Sequence, residues 1–220
     1  MAPVTEFVLA TIKPDADLPS LYTTFATLKS QPGSQRVRAA TLHEDAQQLR
    51  LFVDWDAVSD QHAFRASAAY SSFISAIAPS LAGGPTTVLH AELAPHPPTV
   101  LNNTNDGGKT GVAEVLFTYF TPSADPTKNL ATAQTLVSGL SGAGFAGIRG
   151  ESAVGWTVER DVDYKGEKTR VLVVLIGWES VEAHRAARAT EAYGKIVKEF
   201  QGAAEGLRGF DISHVSTKTL

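Results

Sequence analysis

Two stretches decide how this chain reads: "WDAVSDQHAFRASAAY" at 55–70 and "WESVEAHRAARATEAY" at 178–193. Each runs sixteen residues from Trp to Tyr. Trp55/Trp178, Val58/Val181, Arg65/Arg188 and Tyr70/Tyr193 recur in register. Three alanines also coincide, but alanine is too common here to carry weight. Two aligned segments this long point to an internal duplication, and a duplication should extend into the flanks.

It does. "TEFVLATIKPDAD" (5–17) aligns without a gap on "AEVLFTYFTPSAD" (113–125), matching Glu6/Glu114, Pro14/Pro122, Ala16/Ala124 and Asp17/Asp125. Each is an apolar run closed by Pro and then by an Asp placed to cap a helix. Helical segments follow at 18–31 and 126–142, with Pro126 suited to a first helical position. Second strands, 35–44 and 145–162, align Arg38 with Arg149. Third strands, 48–55 and 169–178, lead into the two Trp-to-Tyr helices. Last strands, 86–93 and 209–217, carry His90 and His214, twenty residues after Tyr70 and twenty-one after Tyr193.

Each half therefore reads β-α-β-β-α-β, the ferredoxin-like order. The division is 1–95, a linker at 96–110, and 111–220. The linker is rich in Pro, Asn and Gly and reads as exposed. The second half is longer between strands two and three, an extended hairpin turning at "DYKGEK" (163–168). The strands are apolar on both faces: Phe7, Leu9 and Val8, Ala10, Ile12 in one, and nearly all of "TRVLVVLIGW" (169–178) in another. A sheet covered on one side only should alternate. The class expected is α+β: two tandem units packed sheet to sheet, helices outside, the barrel complete within one chain. Larger oligomers could still form through the helices.

With 43% hydrophobic and 19% charged residues, the composition is that of a globular protein. A net charge of −4 without a basic stripe speaks against nucleic acid and anionic membranes as partners. No apolar run is long enough for a membrane span, and the start lacks the basic region of a signal peptide, so a cytoplasmic location is expected. There is no cysteine, which excludes disulfides and thiolate chemistry. "NNT" (102–104) matches a glycosylation acceptor that this location would leave unused. The six histidines form no metal-ligand motif, and no phosphate-binding glycine loop is present, so neither metal nor cofactor is expected. "GLSGAGFAGIRG" (139–150) joins a helix end to a strand, the reverse of a phosphate cradle.

Among single residues, Trp55 and Trp178 read as core anchors, and Arg38 and Arg149 as edge residues that could orient an anionic oxygen. His62 and His184 lie on matching helices but one position out of register. His90 and His214 are the most suggestive repeated polar pair, although a histidine among alternating apolar neighbours is commonly a hydrogen-bonded core residue. Tyr119 and Trp156 have no aromatic counterpart in the first half, where Thr11 faces Tyr119. This asymmetry favours a pocket in the second half, between its sheet and helices. Its expected lining is Tyr119, Arg149 and Trp156 for substrate binding and His214, His184 and Tyr193 for catalysis. The two histidines rank above Tyr193 as bases because histidine exchanges protons near neutrality, whereas tyrosine titrates near about 10.

Taken together, the duplicated units and a Trp-[Asp/Glu]-[Ala/Ser]-Val-…-His segment with a break before Tyr resemble the dimeric α+β barrel superfamily, antibiotic-biosynthesis-monooxygenase type, as a fused tandem. The resemblance covers nearly the whole chain. It implies a fold that hosts cofactor-free monooxygenases of polyketide aromatics, polyketide cyclases, haem-degrading enzymes, chlorite dismutases, muconolactone isomerases and stress-responsive members. In the cyclases a catalytic His follows the helix break; here Tyr70 and Tyr193 stand there, which argues against that mechanism. The leading expectation is a cofactor-independent acid–base enzyme acting on a small, mostly apolar, oxygenated molecule such as a polyketide or phenol, as a monooxygenase or cyclase/isomerase. The alternatives are a noncatalytic ligand-binding or stress-responsive barrel, and a haem protein with His184 or His214 as axial ligand. Fold alone does not choose among them.

Overall fold

The computed structural model describes residues 2–84 and 87–220. The first half runs β1 (Val4–Thr11), α1 (Leu18–Ala26), β2 (Ser34–Thr41), β3 (Gln48–Trp55), α2 (Val58–Arg65), α3 (Ala68–Ile77) and β4 (Thr87–Ala91). The second runs β5 (Val112–Phe120), α4 (Pro126–Gly142), β6 (Ile148–Trp156), β7 (Val162–Tyr164), β8 (Glu167–Trp178), α5 (Val181–Arg188), α6 (Glu191–Ala203) and β9 (Leu207–Val215), with a short β10 (Lys218–Thr219) after it. The sheets are ordered β10-β2-β3-β1-β4 and β6-β8-β5-β9. Both follow the antiparallel ferredoxin-like arrangement expected from sequence. Asp17 and Asp125 cap their helices through backbone N–H groups of the first turn. Each Trp-to-Tyr segment is two helices, restarted by the caps Ser67 and Thr190. The extra hairpin of the second half turns at Lys165 and Gly166, both at positive φ, 54° and 84°.

Strand parity explains the two-sided apolar pattern. Phe7, Phe52, Val115, Phe117, Val173 and Leu175 point into one core between the sheets. Phe7 meets Phe52 and Phe117 edge to face, with centroids 5.4 and 5.6 Å apart. The opposite faces carry Leu49, Leu51, Val53 and Trp55 under α1–α3, and Leu172, Val174, Ile176 and Trp178 under α4–α6. Two apolar faces per sheet thus bury into three cores.

The sheet edges join at two seams. At one, Leu42 pairs with Val215 and His43 N–H donates to the His214 carbonyl at 3.0 Å. At the other, Ala91 pairs with Thr157 and Ala94 with Val154, and Val158 N–H donates to the His90 carbonyl at 2.8 Å. At this second seam the chains approach so closely that a Cβ on Gly155 would stand 1.9 Å from the Glu92 carbonyl oxygen. The result is a closed barrel within one chain.

The linker expected to be exposed is so only in part, around 104–109, and its middle enters the core. Val100 and Leu101 are fully buried between the sheets. The Asn102 side-chain oxygen accepts from Arg36 and Arg38, each at 3.0 Å. Arg38, read from sequence as an edge residue, has no exposed surface. Its guanidinium pairs with Asp54 at 2.9 Å and reaches the Pro98 carbonyl, while Thr5 donates to the other Asp54 oxygen at 2.8 Å. Asn102 is satisfied by Arg36 and the buried Arg38, so its polarity did not mean solvent. Replacing Arg38 by Leu leaves Asp54 buried without its counter-ion. We expect a loss of about 3–5 kcal/mol, typical of a broken buried pair, read as a lower urea midpoint at unchanged slope.

Candidate functional site

The same carboxyl–indole pair is built twice. Glu6 and Glu114 occupy the helix-facing parity of β1 and β5, and both are buried. Trp55 and Trp178, ending the neighbouring strands, each donate an indole N–H to that carboxylate at 2.9 Å. His90 and His214 lie directly across the ladder from Glu6 and Glu114. Each histidine is clasped by a carboxylate from the opposite half. Glu159 accepts from His90 backbone N–H at 3.0 Å and contacts its Nδ1 at 2.7 Å. Glu44 accepts from His214 backbone N–H at 3.0 Å and contacts its Nδ1. The histidines therefore lie at the seams that close the barrel. Burial pushes Glu44 and Glu159 up, but the hydrogen bonds from His214 and His90 outweigh it and hold both below the ordinary carboxylate range.

The halves part at the sixth residue after each Trp. In the second half this is His184, fully buried and stacked on Trp178 with centroids 4.8 Å apart. His184 Nδ1 lies 2.7 Å from His214 Nε2, and its Nε2 lies 3.0 Å from the Tyr193 hydroxyl and 3.5 Å from Glu114. Burial, then the neighbouring His214 and Arg188, hold His184 far below the usual imidazole value, to about 3. Burial pushes Glu114 up to about 7, against the Trp178 hydrogen bond and Arg188. Burial and the Glu114 charge also push Tyr193 above its usual range. The space left beside Glu114 is a cavity of about 90 Å³.

In the first half the same position holds Gln61, whose Nε2 donates to Glu6 at 3.0 Å. The exposed His62 ring meets His90 edge to face at 6.2 Å, yet the buried His90 Nε2 has no hydrogen-bond partner, and neither does Gln61 Oε1. Burial again raises the Glu6 carboxyl, opposed first by the charge of His90. Here the cavity is about 280 Å³, lined by Glu6, Gln61, Arg65 and Tyr70 among apolar side chains. Its size has a plain origin. Val8 and Ala10 stand where β5 carries Leu116 and Thr118, and α1 is nine residues where α4 is seventeen.

Of the six residues expected to share one second-half pocket, His184, His214 and Tyr193 do meet. Only Tyr193 lines the cavity there. Tyr119 has the opposite parity: it points between the sheets, bonds Asp211 at 2.9 Å and stacks on Tyr164 at 3.9 Å. Arg149 sits at the surface, 3.2 Å from Glu179. Trp156 packs on Phe120 and Arg170 and donates to the Pro126 carbonyl. The larger pocket lies in the first half, contrary to the asymmetry argument. Aromatic side chains gained by the second half filled space rather than lining it. Glu6, Gln61 and Glu114 were missed as site residues, although the shared offset of Gln61 and His184 from Trp was readable.

A haem does not fit beside His184 or His214. Both ring nitrogens of each face a protein partner, and about 90 Å³ is far below what a porphyrin occupies. Among the described residues, no group of three or more His, Asp or Glu side chains is placed to hold a metal ion. No helix there is long and apolar enough to cross a membrane.

The Glu114 shift sets a pH dependence. Its folded value of about 7 lies above the ordinary 4.5. Folding therefore takes up a proton between those values, and stability falls as pH rises from 4.5 to 7, then levels. Glu114→Gln should flatten that part of the stability profile and raise stability at pH 8, with little change at pH 4, as followed by chemical denaturation across pH.

No protein-family model and no curated protein matches the chain. Solved structures do, over its full length. An anthrone oxidase-like protein is 14% identical with a TM-score of 0.64, covering 100% of this chain and 94% of that one. A monooxygenase candidate from Lactobacillus acidophilus NCFM is 10% identical with a TM-score of 0.61, covering 100% and 96%. A mutant chlorite dismutase from Candidatus Nitrospira defluvii is 15% identical with a TM-score of 0.54, covering 96% and 91%. At these identities the likeness is one of fold, and it agrees with the topology: this chain is a dimeric α+β barrel whose two ferredoxin-like units are fused in tandem.

Proposed function

We propose that the protein is an acid–base enzyme of small-molecule metabolism that needs no bound cofactor. Its substrate would be a compact, mostly apolar, oxygenated molecule such as a phenol or polyketide fragment, held in the first-half cavity. The observation that carries this is the lining: apolar walls, one buried carboxyl at Glu6, and Arg65 and Tyr70 nearby. The volume, about 280 Å³, is at the small end of ligand pockets.

In this reading Glu6 accepts a proton from an acidified C–H or O–H of the substrate. Trp55 and Gln61 hold its two oxygens in place. Arg65 and Tyr70 stabilise the oxyanion that forms, and the desolvated site strengthens their effect. In an oxygenase version the substrate carbanion would itself supply electrons to O₂. The anthrone oxidase-like and monooxygenase-like fold neighbours support that version without specifying it.

The test is a binding and turnover screen of phenols and aromatic polyketide fragments, with and without O₂. For a turned-over compound, Glu6→Gln should keep binding within about threefold and lower kcat by about 10²-fold or more. Ala10→Leu, which fills the cavity, should abolish binding while the protein stays folded. Unchanged turnover in Glu6→Gln overturns the assignment of Glu6. A ligand that binds in the cavity yet is never converted would make this a binding barrel instead.

A further inference from the structure

The second-half network is not used by this reading, and its geometry has a direction. It begins at Glu44, whose side chain is 39% exposed, and ends at Glu114, which is 2% exposed. Between them stand His214 and His184, each using both ring nitrogens. We infer that Glu44, His214 and His184 form a proton path joining solvent at the β2–β9 seam to the buried carboxyl of Glu114.

The hydrogen-bond partners assign the resting protons. Glu44 as carboxylate accepts from His214 Nδ1–H. His214 Nε2 then accepts from His184 Nδ1–H. His184 Nε2 is left as an acceptor, facing Tyr193 at 3.0 Å and Glu114 Oε2 at 3.5 Å. When Glu114 releases its proton, His184 Nε2 takes it. His184 Nδ1 passes its own proton to His214 Nε2, and His214 Nδ1 passes one to Glu44, which exchanges with water. One proton crosses, each ring ends as the other neutral tautomer, and uptake runs the same steps in reverse. The 3.5 Å gap is longer than a hydrogen bond and sets the slowest hop. The low proton affinity of His184 favours passage between neutral tautomers over a trapped imidazolium.

The first half supplies the contrast. It has the equivalent surface carboxylate, Glu159, and the equivalent histidine, His90. Gln61 replaces the second imidazole, and an amide does not relay protons. His90 Nε2 is correspondingly unpartnered. One duplicated carboxyl is joined to the surface through imidazoles, while the other opens onto the first-half cavity with no such line behind it. The groups facing Glu114 are Trp178 of β8, His184 and Arg188 of α5, Tyr193 of α6 and His214 of β9. Those facing Glu44 are His214 and, at longer range, Arg50.

The experiment is a pH jump on the intact protein, followed by the infrared band of the protonated Glu114 carboxyl, which is identified by its loss in Glu114→Gln. His184→Gln copies the first half's own solution and should fold, since Gln61 does so there. It should slow protonation and deprotonation of Glu114 at least tenfold. Glu44→Gln, which cuts the path at the surface, should slow them as well while leaving the band in place. Equal rates in the wild type and both variants would overturn the path, because Glu114 would then exchange through the cavity mouth beside Arg188. Slowing in His184→Gln alone would overturn the assignment of Glu44 as its outer end.

Discussion

A four-stranded sheet standing alone leaves two edges unpaired and, in this sequence, a second apolar face uncovered. Both needs are met by the sister sheet, and the remaining structure depends on that. The face is covered by the shared core around Phe7, Phe52 and Phe117. The edges are closed at the two seams, where backbone ladders alone are short. Each seam is reinforced by one histidine held through its ring and its backbone by a carboxylate of the opposite half. Such a clasp is specific in register: a slip of one residue would turn the histidine to the other face.

The pairing also fixes where chemistry can occur. The space between the sheets holds the shared apolar core, with the linker residues Val100 and Leu101 seated in it. What remains open lies on the outer faces, under the helices. There, each carboxyl is bought at the cost of burial, offset in both halves by an indole N–H. Once the unit was duplicated, the two carboxyls were free to diverge, because the barrel needs neither of the adjoining cavities. His184 in one copy and Gln61 in the other express that divergence. The imidazole stacks on Trp178, draws in Tyr193 and closes space; the amide leaves space open.

Much of the fold was legible because it rests on periodicity. Strand order, the helix caps at Asp17 and Asp125, the hairpin turn and the two-faced strands all follow from local spacing. The site was legible only in part. His184, His214 and Tyr193 were found because they are chemically conspicuous. Tyr119 was misplaced although parity alone sets it with Val115 and Phe117, opposite Glu114. The linker was misread because Pro, Asn and Gly suggest solvent, and nothing local announces that Arg36 and Arg38 will satisfy Asn102. Cavity size was the hardest to see. It depends on small differences at helix-facing positions, Val8 against Leu116 and Ala10 against Thr118, which no motif marks.

Those small differences bear on how a fused barrel can gain function. In an assembly of two identical chains, any residue that fills one cavity fills both. Fusion removes that constraint. One half can then keep a roomy cavity with a carboxyl held by neutral donors, while the other tightens around a hydrogen-bonded line of imidazoles. The tight half contributes rigidity at the β2–β9 seam through His214, which the open half matches at its own seam through His90 without the added imidazole. His90 Nε2 is unpartnered where His214 Nε2, at the matching position, meets His184. A carboxyl next to His90, Glu6, has its proton affinity raised by burial, as Glu114 does, but has no pair of imidazoles leading to the surface. That is the condition under which a buried acid stays poised for a ligand rather than for solvent.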